Sequence, residues 1–100
     1  MRLTPRQRQI IRTTLKSHFG QSSLIRLFGS RVDDATRGGD IDLFIEPEIQ
    51  DPDQLVDAKL SALAELHRNL GDRKIDIVIC RAGAADLPIH RHARKTGIEL

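Results

Sequence analysis

One hundred residues, 39% hydrophobic and 30% charged at a net charge of +2, suffice for one globular domain (residues 1–100) with a modest core. The single cysteine, Cys80, excludes an intrachain disulfide and matches a reducing compartment. No apolar run approaches the ~18 residues a membrane-spanning helix needs, and Met1-Arg2-Leu3-Thr4-Pro5 is charged with no apolar segment behind it, so the chain reads as cytoplasmic without a membrane partner.

Thr4-Pro5-Arg6-Gln7 opens a helix: Thr4 caps, Pro5 suits the first helical position, and Gln7 completes a capping box. Ile11, Leu15 and Phe19 form its apolar stripe, Arg8, Arg12 and Lys16 a basic one, and Gly20 stops it. Leu24 to Phe28 reads as a strand ended by Gly29-Ser30. Residues 31–39 form a loop longer than a tight hairpin needs. Ile41 to Glu46 is a second strand, closed by Pro47. Asp51 caps a second helix with Pro52 at its first position. There Val56, Leu60, Leu63, Leu66 and Leu70 recur at helical spacing and are expected to face the core, and Gly71 ends the helix. Lys74 to Cys80 is a third strand. A last helix runs from Leu87-Pro88 to Thr96, with Gly97 as its stop. The order α-β-β-α-β-α predicts an α+β fold, a small mixed sheet with helices packed mainly on one face.

Charge is unevenly spread. Residues 1–32 hold seven Lys or Arg and no Asp or Glu, whereas the remainder is net acidic. A basic first third suits an acidic partner, either nucleic acid or a negatively charged protein face. The plainer reading, a solvated helix face, carries more weight. No aromatic residues interleave with these charges, which argues against a stacking surface for single strands.

The chemistry concentrates in Leu27-Phe28-Gly29-Ser30-Arg31 and Gly39-Asp40-Ile41-Asp42-Leu43. On a strand, side chains at i and i+2 share a face, so Asp40 and Asp42 project together while Ile41 and Leu43 turn inward. Adjacent carboxylates repel unless a cation lies between them, and Mg²⁺ favours such hard oxygen ligands. Asp76 interrupts an apolar strand, Ile75 to Ile79, where a lone charge is costly to bury unless paired or metal-bound. If the third strand lies beside the second, the three carboxylates converge. They then suit two divalent ions about 3.5–4 Å apart clamping an in-line displacement at phosphorus. Asp40 and Asp42 are expected to hold the ion on a nucleoside triphosphate. All three hold the ion that activates an attacking hydroxyl, whose proton Asp76 is placed to accept. The Ser30 hydroxyl and the amides around Gly29 grip the terminal phosphates, helped by Arg31, with Gly39 at the loop's other end.

Each element alone has an ordinary explanation. Gly-Ser is a common turn, Asp-x-Asp is common on exposed strands, and Asp76 could pair with Arg73 or Lys74. Their ordered combination is improbable by chance. Other candidates fare worse. His90 and His92 diverge on a helix and are expected to face solvent or a partner. Cys80 reads as a small buried side chain, and His18 and His67 as bordering the core or solvent.

The Gly29-Ser30-Arg31 and Gly39-Asp40-Ile41-Asp42-Leu43 segments resemble the signature of the polymerase-beta-type nucleotidyltransferase superfamily. The short chain is similar to its minimal members, the MntA-like antitoxins. The resemblance extends to Asp76 and to the closing Pro88-Ile89, Ala93 and Gly97-Ile98 pattern. The gap from Ser30 to Asp40 is short for the family, and Val32-Asp33-Asp34 stands where Ala-Arg-Gly is frequent. The resemblance implies the polymerase-beta-like fold, transfer of AMP from ATP with two Mg²⁺ ions, and Gly29, Ser30, Asp40, Asp42 and Asp76 at motif positions. It also implies a partner, a HEPN-type ribonuclease toxin that is adenylylated on a tyrosine. Non-catalytic neutralisation of the partner by occlusion and nucleotidyl transfer to an RNA 3′ end are the competing expectations. Exposed edge strands in so small a sheet also permit homo- or hetero-oligomers.

Overall fold

A computed structural model of the chain describes residues 4–28, 41–71, 74–82 and 87–100. Each element forms where its local chemistry directs. Helix α1 (Pro5–Phe19) starts at Thr4, whose hydroxyl accepts from the Gln7 amide at 3.1 Å while the Gln7 side chain accepts from the Thr4 amide at 3.0 Å. It ends at Gly20, whose φ of 112° favours glycine. Helix α2 (Pro52–Leu70) is capped by Asp51, which accepts from the Gln54 amide at 3.0 Å. Helix α3 spans Pro88–Thr96.

Among the described residues four strands form one mixed sheet in the order β3-β2-β1-β4: β1 (Leu24–Phe28), β2 (Ile41–Glu46), β3 (Ile75–Ile79) and β4 (Ile98–Glu99). β1 runs antiparallel to β2 and β4, and β2 runs parallel to β3. A parallel neighbour needs a crossover, and α2 supplies it. The two-residue β4 was absent from the predicted order. So short a strand carries no periodicity, and only its pairing with Arg26 and Leu27 defines it.

Alternation along the strands sorts the side chains into two layers. Ile25, Leu27, Ile41, Leu43, Ile45, Ile75 and Ile77 meet Ile11, Leu15 and Phe19 of α1 and Leu55, Ala58, Ala62 and Leu66 of α2 in the main core. Each fully buried Leu or Ile in it contributes roughly 1.5–3 kcal/mol. On the opposite face, Phe28, Phe44 and Cys80 pack with Ala93 of α3. The two long helices therefore share one face and the short helix takes the other. Cys80 is the buried side chain expected.

Two expectations are corrected. Val56 and Leu60 do not face the core; they are 58% and 63% exposed. The stripe that packs on the sheet is Leu55, Ala58, Ala62 and Leu66. Its two alanines are small, so the larger residues alongside dominated the pattern. His90 is not solvent-facing either. It is buried, its ring centroid lies 5.9 Å from that of Phe44, and its Nδ1 accepts from the Leu87 amide at 3.3 Å.

Gly97 shows why a small residue joins α3 to β4. Its φ is ordinary for any residue, but a Cβ would collide with the Ala93 carbonyl oxygen and lie 3.2 Å from the Leu27 carbonyl oxygen and from Arg26 Cβ. Gly97→Ala is expected to cost about 1–3 kcal/mol, read as a lowered denaturation midpoint at unchanged m-value.

α1 and α2 are also joined by polar contacts. Thr14 donates to Glu65 Oε2 at 3.0 Å, and His18 Nε2 lies 3.3 Å from Glu65 Oε1. The Thr14 hydrogen bond first, then the His18 contact, holds the Glu65 carboxyl below its ordinary value of 4.5. The charged form is thus favoured by folding. The stability margin of the wild type over Glu65→Gln is expected in full above that ordinary value, and it is lost as the pH falls through the lowered one. Thermal melts of both proteins across an acidic pH series measure it.

Candidate active site

The parallel register of β2 and β3 sets Asp42 directly opposite Asp76. Register partners on adjacent strands stand roughly 5 Å apart and point to the same side. That side is the one opposite α1 and α2, because Ile41, Leu43, Ile75 and Ile77 fill the main core. Two carboxylates therefore stand side by side over the sheet, with Asp42 half-buried and Asp76 exposed. Like charges placed directly opposite are mutually destabilising, and a hard divalent cation is the chemical species that relieves such a pair. The donor set fits Mg²⁺.

β1 supplies the third side. Phe28 is the register partner of Asp42 across the antiparallel pair, and its ring is buried. It gives the carboxylates an apolar wall. Sequence reasoning treated Phe28 only as a strand end; the signal for its role was its place immediately before Gly29-Ser30. The described chain stops at Phe28 and resumes at Ile41, so Gly29, Ser30, Arg31, Gly39 and Asp40 lie outside the described residues. Among the described residues no group of three His, Cys, Asp or Glu side chains gathers for a metal ion; Asp42 and Asp76 are the pair they provide.

Farther along the same face lies a second polar group. Arg94 Nε donates to Glu46 Oε1 at 2.8 Å, and its Nη2 lies 3.2 Å from Cys80 Sγ. The guanidinium stands 5.6 Å from the centroid of the Phe44 ring. Glu46 is four residues beyond Asp42 on β2, roughly 13 Å along the strand. This cluster anchors α3 and stands apart from the carboxylate pair.

Comparison with known families agrees with this arrangement. The family model described as polymerase beta, nucleotidyltransferase matches residues 9–100. The chain belongs to the polymerase beta nucleotidyltransferase family. No individual curated protein matches it. Membership makes the chain a nucleotidyltransferase, and the small α+β fold, with three helices and a four-stranded mixed sheet among the described residues, is consistent with that of the family. Nucleotidyltransferases of this family act on nucleoside triphosphates with a divalent metal, the chemistry to which two facing carboxylates are suited. No helix among the described residues is long and apolar enough to cross a membrane.

Proposed function

We propose that this nucleotidyltransferase transfers AMP from ATP to a hydroxyl of a partner protein, a tyrosine of a HEPN-type toxin, and thereby acts as a minimal antitoxin of the MntA-like kind. The observation that carries the transfer chemistry is the register of Asp42 against Asp76 on one face of the sheet. The partner and its tyrosine rest on the likeness of this short, single-domain chain to the MntA-like antitoxins.

In this reading Asp42 and Asp76, joined by Asp40, would hold two Mg²⁺ ions, which would supply charge neutralisation at the triphosphate and a lowered pKa for the attacking hydroxyl. Asp42 is half-buried beside its register partner Phe28. The exposed Asp76 faces the side from which an acceptor arrives and takes the hydroxyl proton. The acceptor oxygen bonds to the α-phosphorus, the bond from that phosphorus to the bridging oxygen breaks, and pyrophosphate leaves. Gly29, Ser30, Arg31 and Gly39 hold the departing phosphates. Rate enhancement comes from positioning and charge neutralisation.

The basic stripe of α1 supports a protein acceptor over RNA. Arg8 and Arg12 are half-buried rather than fully displayed, and Arg8 Nη2 donates to the Glu99 carbonyl at 3.2 Å. Charge engaged in packing adds little to phosphate binding.

The test is intact-mass analysis of a HEPN-type toxin after incubation with the chain, ATP and Mg²⁺. The expected result is a mass increase of whole AMP units on the toxin, mapped to tyrosine and absent with Asp42→Asn. An unmodified toxin that is nevertheless bound and neutralised equally by wild type and Asp42→Asn supports occlusion instead. Labelling of RNA rather than toxin supports the 3′-end reading.

A further inference from the structure

The largest exposed apolar residues on the described surface of α2 are Val56 and Leu60, one helical turn apart. They are not scattered. Leu63, on the same flank, is only partly covered by the core, and below Val56 a shallow groove of about 440 Å³ is lined by Pro52, Leu55, Lys59, Ile79 and Arg81. Ile79 belongs to β3, which among the described residues is an edge strand of the sheet. The apolar flank of α2 thus continues into that strand edge.

That edge is ready to pair. The Ile41 amide donates to the Lys74 carbonyl and the Cys80 amide to the Ile45 carbonyl, both at 2.9 Å. In a parallel ladder the even-numbered residues of β3 therefore face β2, and the N–H and C=O groups of Ile75, Ile77 and Ile79 point away from it. Between Ile75 and Ile79 the strand carries neither proline nor lysine, two of the usual guards against edge pairing.

We infer that this surface is the interface of a symmetric dimer, in which β3 of two copies of the chain pair antiparallel and α2 packs against α2 of the mate. Three physical constraints converge on a second copy as the occupant. First, a two-fold axis perpendicular to the sheet keeps both α2 helices on one face. With each helix lying over β2 and β3, their axes stand about two strand spacings apart, roughly 9–10 Å, and helices pack at roughly 8–10 Å. Second, the outward groups belong to odd-numbered residues in both copies, so isoleucine pairs with isoleucine. Only an axis at Asp76 sets like charges directly opposite, and an axis at Ile77 or Val78 avoids this. Third, charge is complementary. α2 begins with Asp53 and ends with Arg68, so antiparallel packing about Leu60 brings the acidic first turn of one copy alongside the Arg68 end of the other. The same axis leaves Asp42 and Asp76 of both copies on the opposite face, clear of the helix pair.

Sedimentation equilibrium of the full chain tests this, with amide exchange on the same samples. The expected species has twice the 11.2 kDa chain mass, and the amides of Ile75, Ile77 and Ile79 become protected as concentration rises. Leu60→Glu and, separately, Val56→Lys are exposed changes that retain the circular dichroism of the wild type. Each is expected to give a monomer in which those three amides exchange freely. Gln9→Glu on α1 leaves the dimer intact, as does Asp42→Asn, which separates this inference from the nucleotidyl-transfer reading. A wild-type chain that remains at 11.2 kDa up to millimolar concentration overturns the inference. So does a dimer that survives both Leu60→Glu and Val56→Lys, or one whose three amides stay unprotected.

Discussion

Asp42→Asn is expected to abolish nucleotidyl transfer while leaving the fold standing. The two effects separate because the carboxylate pair sits outside the apolar layers: Asp42 is half-buried and Asp76 exposed, and neither belongs to the main core. Asparagine keeps the shape and the capacity for hydrogen bonds but removes the charge that attracts a divalent cation. A transition state that spreads negative charge over phosphate oxygens depends on that cation. The loss is on the order of 10³-fold in rate or more, about 4 kcal/mol of transition-state stabilisation. Pyrophosphate release from ATP in the presence of the acceptor measures it. A circular dichroism spectrum like that of the wild type and a cooperative thermal melt of Asp42→Asn check that the fold stands. Added Mg²⁺ raises the midpoint of the wild type by preferential binding to the folded chain, and it does so less for the variant. A wild type whose melting ignores Mg²⁺, with transfer unaffected by Asp42→Asn, removes the basis of the proposed site.

Phe44→Ala is the substitution expected to harm stability most. Phe44 is fully buried and organises the smaller layer of the molecule. Its ring meets His90, lies under the Arg94 guanidinium, and packs with Phe28, Cys80 and Ala93. It therefore ties α3 to the centre of the sheet, and α3 leads directly into β4. Truncation removes the transfer free energy of the ring and leaves a cavity, together about 3–5 kcal/mol. For a domain of this length that lowers the melting temperature by roughly 15–30 °C. Phe44→Leu is expected to recover about half, because it refills most of the volume. The loss extends beyond the packed ring: Phe28 lines the carboxylate pair on one side and this layer on the other, so transfer activity falls before global unfolding begins.

The positions of α1, α2, α3 and the first three strands were legible in the sequence because their signals are local. Thr4-Pro5, Asp51-Pro52, Gly20 and Gly71 punctuate helices through short-range hydrogen bonds and backbone freedom. The alternation around Ile75-Asp76-Ile77 reports a strand wherever that strand sits. Asp42 and Asp76 were recognisable as charges in apolar strands, and the likeness to the nucleotidyltransferase signature agreed with the matched family.

Tertiary structure alone decided the rest. Neither Asp42 nor Asp76 specifies the other; the parallel pairing of β2 with β3, in one register out of several, makes them neighbours. A slip of one residue sends one carboxylate into the isoleucine core. β4 exists only because Arg26 and Leu27 offer an edge. His90 is buried because Phe44 arrives from a strand more than forty residues away. The helical spacing of α2 marked an apolar helix, but which flank met the sheet depended on Ala58 and Ala62 permitting close approach there, which left Val56 and Leu60 outside. Periodicity depends on separation along the chain, whereas these outcomes depend on which distant surfaces meet.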